Sequence, residues 1–236
     1  MSNNSENLID WEKIDKHSQE FKNKTPTKWI YFEDFFERDF YNELKNTYPR
    51  FDSSWELEDS YDKLSYRKYW KMDEKKIVLD GNDERYSKSW NKFMDLARSD
   101  DFCKKLSEFT GVKINRLKHF GFMLAKQNGF QLPHVHDVSD KTLMLFMYFS
   151  DGWEKNDPGA TYLAKDLDEK NIIFETYNLD NTALFVLDGP DAIHGVRKIT
   201  KDVERKAIQL TYEPFSHTDG WYGSMEKKEI PELLDL

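Results

Sequence analysis

Three histidines in the second half of this 236-residue chain stand where a metal site would need them. His134 and His136 are two apart in LPHVH. In an extended strand, residues i and i+2 project from the same face, so both imidazoles can turn toward one ion. Two neighbours on one strand cannot surround a metal, and a third ligand has to come from a distant segment. His194 is the candidate, because the preceding TALFVLDGPDAI reads as a strand and turn that brings the chain back to the same mouth. His-x-His by itself is also what an ordinary surface pair looks like, so the neighbouring residues have to decide.

Arg205 opens RKAIQLTY, eleven positions after His194. Alternation along that segment puts Ile208, Leu210 and Tyr212 on one face and Arg205, Ala207, Gln209 and Thr211 on the other. An arginine on the more polar face of a strand, beside a histidine ligand, would project into the lumen of a β-structure. A guanidinium buried there without a counter-charge is costly, so it should meet a carboxylate. A dicarboxylic cosubstrate would supply one in the bidentate geometry that arginine favours. The competing reading is a strand-end arginine that reaches solvent.

These residues need a scaffold, and the apolar periodicity supplies one. Residues up to 27 are polar and read as a tail or surface helix. From 34 to 48, Phe36, Phe40 and Leu44 recur at four-residue intervals along one helix face, and Pro49 stops the helix. Residues 87–97 and 100–109 are helix-like, with a stop at Gly111. Residues 52–83 mix aromatics and charges without a period. After Gly111 the chain changes to short runs that read as strands: GFMLAK, TLMLFMYF, ATYLAK, NIIFET, TALFVL and RKAIQLTY. Turn-rich pieces such as DGWEKNDPG and LDGPD separate them. Helices followed by many short strands imply an α+β protein with a jelly-roll core, two facing sheets and helices packed outside. The expected organisation is one structural domain, with a tail over 1–27, a helical preface over 28–120, the core over 121–215 and a C-terminal tail over 216–236.

Composition narrows the function. Aromatics make up 15% of the chain, enough for a large core. The formal net charge of -9, with no concentrated basic block, disfavours nucleic acid as a partner. Cys103 is the single cysteine, so neither an intrachain disulfide nor a cysteine zinc cluster can form, and a buried structural thiol is expected. No apolar stretch is long enough to span a bilayer, and a soluble protein of a reducing cytoplasm is expected.

From 121 to 212 the chain resembles the 2-oxoglutarate and iron(II)-dependent oxygenases, and among them the prolyl-hydroxylase-like branch. The matching pieces, in order, are LPHVH, YFSDGW with PGATYL, LFVLDGPDAIHGV and RKAIQLTY. The helical region 34–49 and SDDFCKKLSEFTGV are similar to that branch's helical preface. The resemblance implies a double-stranded β-helix, Fe(II) as the metal, 2-oxoglutarate as cosubstrate and dioxygen as co-reactant. It also implies hydroxylation of an amino acid, a peptidyl residue or another small metabolite. His134 and His194 match the family's two histidine ligands. Arg205 matches the basic residue that binds the distal carboxylate of 2-oxoglutarate, and Tyr148 matches a tyrosine that donates to the same carboxylate. No catalytic residue beyond the metal ligands is implied. Trp153 could flank the entrance or simply pack.

His136 departs from the pattern, because the family has Asp or Glu there. His136 is the expected third ligand. Asp137 is the alternative, and on a regular strand it points away unless a bulge turns it inward. A halogenating relative would carry a small residue at this position, so that chemistry is not expected. Two other readings follow from the three-histidine set. One is a cupin-like dioxygenase that uses no 2-oxoglutarate, and the other is a non-catalytic relative that binds a metal or ligand.

Overall fold

The computed structural model describes residues 8–74, 77–136, 141–216 and 220–221. In chain order the elements are α1 (Trp11–Asp15), α2 (Ser18–Asn23), β1 (Trp29–Glu33), α3 (Arg38–Asn46), β2 (Glu56–Ser60), β3 (Lys63–Tyr69), α4 (Lys88–Ala97) and α5 (Asp100–Thr110). The strands β4 (Arg116–Ala125), β5 (Phe130–His134), β6 (Leu143–Phe149), β7 (Thr161–Ala164), β8 (Ile172–Glu175), β9 (Asp180–Leu187), β10 (His194–Val196) and β11 (Arg205–Glu213) follow.

Local chemistry sets the helix ends. The Ser87 side chain accepts from the Trp90 amide at the start of α4, and Ser99 accepts from the Phe102 amide at the start of α5. The α5 helix stops at Gly111, whose φ of 76° suits a residue without a β-carbon. The region expected to be tail or surface helix contributes α1 and α2, and Ile14 and Phe21 from them are buried in the core.

The eleven strands form one sheet in the order β1-β9-β6-β11-β4-β3-β5-β10-β7-β8, with β2 paired to β3. Every pairing is antiparallel. The two facing sheets expected from the sequence are two halves of this single curled sheet, because β3 belongs to both. Its second half pairs with β4 through Tyr66–Tyr69, and its first half pairs with β5 through Lys63 and Leu64. Across the opening, Trp29 of β1 stacks on Phe174 of β8 with ring centroids 4.4 Å apart, which draws the far edges together. The result is the jelly-roll core expected from the strand pattern, in the double-stranded β-helix form that the resemblance implied.

Strand alternation divides the core in two. Phe120, Phe122, Leu145, Phe149, Phe185 and Ile208 point outward and pack with Trp90, Phe93, Phe102 and Phe109 of the helices. Met123, Met144, Phe146, Tyr148, Leu184 and Ala207, the intervening residues of the same strands, face inward against Leu163 and Ala192. Cys103 lies in the outer core, where burial pushes its thiol up to about 11. This is the environment of a structural thiol.

Candidate metal centre

Strand pairing brings the first two histidines together. His134 is the last residue of β5 and pairs directly with His194, the first residue of β10. Their ring centroids are 4.3 Å apart. His136 lies two residues beyond β5, and its ring is 5.2 Å from that of His134 and 4.9 Å from that of His194. One ligand nitrogen from each of the three lies within 4.8 Å of the others. An ion bound at the usual imidazole distance of about 2.1 Å would draw the nitrogens to roughly 3 Å from one another, a shift within the reach of side-chain rotation.

The second nitrogen of each ring is already committed. His134 Nδ1 donates to the Leu132 carbonyl at 3.0 Å, His194 Nδ1 to the Ala192 carbonyl at 2.7 Å and His136 Nδ1 to Asp188 Oδ2 at 2.8 Å. All three partners can only accept, so each neutral ring carries its proton on Nδ1 and leaves the Nε2 lone pair available. The Gln131 amide donates to His134 Nε2 at 3.1 Å and would give way to a metal. Burial holds His194 well below the usual histidine range, and the adjacent imidazoles push it further in the same direction. Burial also lowers His134. Both rings therefore favour the neutral form that can ligate.

Arg205 opens β11 with only 1% of its surface exposed. Its Nη2 donates to Thr161 Oγ1 at 2.8 Å, while its Nε has no hydrogen-bond partner. Among the described residues no carboxylate comes within ion-pair distance of it. Burial lowers its pKa, as expected for a cation removed from water. The Arg205 guanidinium carbon lies 5.4 Å from the centre of the Tyr148 ring. The Tyr148 hydroxyl is fully buried beside the Thr161, Thr176 and Arg205 side chains, yet none of the described residues meets it in hydrogen-bonding geometry. Arg205 and Tyr148 thus form a buried pair of donors with unspent hydrogen-bonding capacity. Thr161 also lines the cleft that holds the three histidines, so its hydroxyl links the Arg205 guanidinium to that cleft.

The expected solvent-reaching alternative for Arg205 does not describe this buried side chain. Trp153 is a packing residue of the inner core. Asp137 lies outside the described residues, and His136 occupies the third position of the cluster.

Several residues of the site were not anticipated. Lys63 and Arg67 of β3 line the same cleft. They share Glu58, at 2.7 Å from Lys63 Nζ and 3.1 Å from Arg67 Nε, and Arg67 Nη1 donates to Gln209 at 3.0 Å. The available signal was KLSYRKY, in which Lys63, Ser65 and Arg67 alternate with Leu64 and Tyr66. Thr161, Thr176 and Asp188 gave no sequence signal, because their importance comes from contacts between distant strands.

No protein-family profile matches the sequence, and no curated protein sequence is similar to it. Solved structures do share its fold. A prolyl-4-hydroxylase from Pseudomonas putida superposes with a TM-score of 0.63 at 13% identity, covering 85% of this chain and 98% of that one. A prolyl hydroxylase from Trichoplax adhaerens, in complex with a hypoxia inducible factor oxygen degradation domain peptide fragment, gives a TM-score of 0.59 at 12% identity over 86% and 91% of the two chains. HygX from Streptomyces hygroscopicus, with nickel and 2-oxoglutarate bound, gives 0.54 at 13% identity over 80% and 85%. At these identities the shared property is the fold, and chemistry has to be argued from the residues.

Proposed function

We propose that this chain is a non-haem iron(II) oxygenase that couples decarboxylation of 2-oxoglutarate to hydroxylation of an amino acid, a peptidyl residue or another small metabolite. His134, His136 and His194 hold the metal, and Arg205 with Tyr148 holds the distal carboxylate of the cosubstrate. The observation that carries this reading is the buried Arg205 guanidinium, which has no carboxylate partner among the described residues and is joined through Thr161 to the cleft of the three converging imidazoles. Such an uncompensated cation costs several kcal/mol, which a bound dicarboxylate offsets. The fold shared with prolyl hydroxylases and with a protein holding 2-oxoglutarate supports the same assignment.

The residues fit the groups. Neutral imidazoles suit a divalent first-row ion, and three of them leave positions open for cosubstrate and oxygen. The bound metal and cosubstrate would supply the chemistry of dioxygen activation, with one oxygen atom consumed in converting 2-oxoglutarate to succinate and carbon dioxide and the other transferred to the substrate. The chain itself contributes position and environment. Arg205 meets one carboxylate of the cosubstrate with a charge-assisted contact, Tyr148 adds a hydroxyl donor, and Thr161 fixes the guanidinium. Met123 and Phe146 line the cleft and keep bulk water from the reacting groups.

A peptidyl substrate is included because one structural neighbour holds a peptide fragment. Among the described residues no helix is long and apolar enough to cross a membrane. The lone buried cysteine suits a reducing cytoplasm, where we place the protein. The test is succinate release from 2-oxoglutarate by the iron(II)-loaded protein, screened against amino acids and peptides in the presence of oxygen. Substrate-stimulated succinate supports the reading. Oxidised product without succinate would move the chain to the three-histidine dioxygenases that use no 2-oxoglutarate.

A further inference from the structure

We infer that Asp188 is a positioning residue of the metal centre: it holds His136 in its ligating tautomer and restores the negative charge that a three-imidazole ligand set lacks. The inference rests on reading the three histidines as a metal centre.

The three rings are not anchored alike. His134 and His194 each donate to the carbonyl two residues before themselves, a local contact made by their own strand ends. His136 has passed the end of β5, and its side chain is 36% exposed. Its orientation comes from the far side of the cleft, from a carboxylate 52 residues away in the chain.

Asp188 is itself held in place. Its amide donates to the Thr142 carbonyl at 2.7 Å, and Oδ1 accepts from the Gly189 amide at 2.9 Å. Gly189 turns the chain there with a φ of 137°, a conformation that disfavours other residues. One carboxylate oxygen is thus tied to the backbone, and the other is aimed at His136. The Asp188 side chain is buried, so its carboxylate is largely removed from water while the His136 ring stays partly open to it.

Charge gives this contact a purpose. Three neutral imidazoles leave the double charge of a divalent ion unreduced, whereas a ligand set containing a carboxylate lowers it by one. Through the His136 ring, Asp188 supplies that missing negative charge at second hand. A carboxylate acceptor also makes the ring a better donor to the metal than a carbonyl acceptor does, and outer partners of this kind are worth about 10- to 100-fold in metal affinity.

The test is a double-mutant cycle on the full chain, with Co(II) and Zn(II) as probes. Affinity is measured by chelator competition, and coordination is followed by the visible spectrum of Co(II). Asp188→Asn in the unmutated background should weaken binding by about 10- to 100-fold and shift the Co(II) bands. In a His136→Ala background the same substitution should change affinity by less than about twofold, because the ring through which Asp188 acts is gone. Equal losses in both backgrounds would overturn the inference, since Asp188 would then act as a direct ligand or a structural brace. No loss in either background would overturn it as well. Asp188→Glu, which keeps the carboxylate, should recover part of the affinity.

Should Asp188→Asn fail to fold, long-range nitrogen–proton NMR of the unmutated Zn(II) protein decides the matter. A protonated Nδ1 on His136 supports the assignment, and a protonated Nε2 overturns it. Coupling between Asp188 and His136 without any succinate formation would leave this inference standing and defeat the oxygenase reading. Succinate formation without coupling would do the reverse.

Discussion

The two faces of one set of strands have been put to opposite uses. On β11, Ile208, Leu210 and Tyr212 join the helix-covered outer core, while Arg205, Ala207 and Gln209 face the cleft side. The outer face closes most of its polar accounts. The Tyr212 hydroxyl donates to the Ala97 carbonyl at 2.7 Å, the Trp90 indole to the Thr47 carbonyl at 3.1 Å, and the Tyr41 hydroxyl to Asp180 at 2.8 Å. Among the described residues, Trp70 Nε1 is an exception there. The inner side leaves Arg205 Nε and the Tyr148 hydroxyl without partners, along with the indoles of Trp29 and Trp153. A face that only has to be stable can satisfy itself, whereas a binding face keeps hydrogen-bonding capacity for what it binds.

The largest effect should come from damaging the satisfied face. Phe93 is fully buried against Phe36, Trp90 and Phe120. Phe93→Ala should cost about 3–5 kcal/mol of folding stability, measured by urea unfolding. Metal affinity of the protein that remains folded should be unchanged. A loss of metal binding at temperatures where the variant is fully folded would break the separation between the faces.

The inner side should respond in the opposite sense. Arg205→Met should weaken 2-oxoglutarate binding to the metal-loaded protein by about 1.5–3 kcal/mol, read by calorimetry. The melting temperature of the unliganded protein should hold or rise, because a buried charge with no counter-ion among the described residues has been removed. Unchanged 2-oxoglutarate affinity in the folded variant would defeat the cosubstrate assignment. A large loss of unliganded stability would show that the guanidinium is structural.

The pH dependence of the metal-free protein sharpens the contrast further. His134 and His194 have folded pKa values below the unfolded value near ~6.5, so the unfolded chain binds more protons below that pH. Their contribution is complete above ~6.5 and is lost as pH falls toward the lower folded values. The slope is at most about 1.4 kcal/mol per pH unit for each histidine. Urea unfolding in chelator between pH 7.5 and 5 should show this decline, and His194→Phe should flatten it. An identical slope in that variant would place the titration elsewhere.

How much of this was legible in the sequence follows from the range of the interactions involved. The helices of the outer layer repeat apolar residues at helical spacing and end at recognisable caps, so 87–97 and 100–109 read close to Lys88–Ala97 and Asp100–Thr110. The strands with one apolar run, such as Leu143–Phe149, read equally well. The β2–β3 hairpin did not. β3 serves both halves of the sheet and buries Arg67 and Lys68 in succession, so the alternation over Lys63–Arg67 breaks at Lys68 and is too short to mark an apolar face. Ile14 and Phe21 lie in two short helices whose other apolar neighbours, Leu8, Ile9 and Trp11, fall among charged residues without a sustained helical repeat. At the site, His134, His136, His194 and Arg205 were visible through spacing. Asp188 sits in a turn sequence, LDGPD, where aspartate is ordinary, and only the packing of β9's end against the His136 segment gives it a role.

The smallest expected effect concerns Asp137, the neighbour of the proposed third ligand His136. The three ring nitrogens already converge without Asp137, and the third ring has its own buried carboxylate in Asp188. A carboxylate at 137 is therefore not needed to complete the set. Asp137→Ala should change Co(II) affinity by less than about 0.5 kcal/mol, within the range of an ordinary substitution away from such a site. His136→Ala should cost far more, because it removes a direct donor and leaves Asp188 buried without its partner. The two variants measured together decide which residue is the ligand. If Asp137→Ala carries the large loss and His136→Ala the small one, the chain bulges at this point to present the carboxylate, and the centre has two histidines and an aspartate. The buried contact between Asp188 and His136 would then orient a ring that binds no metal.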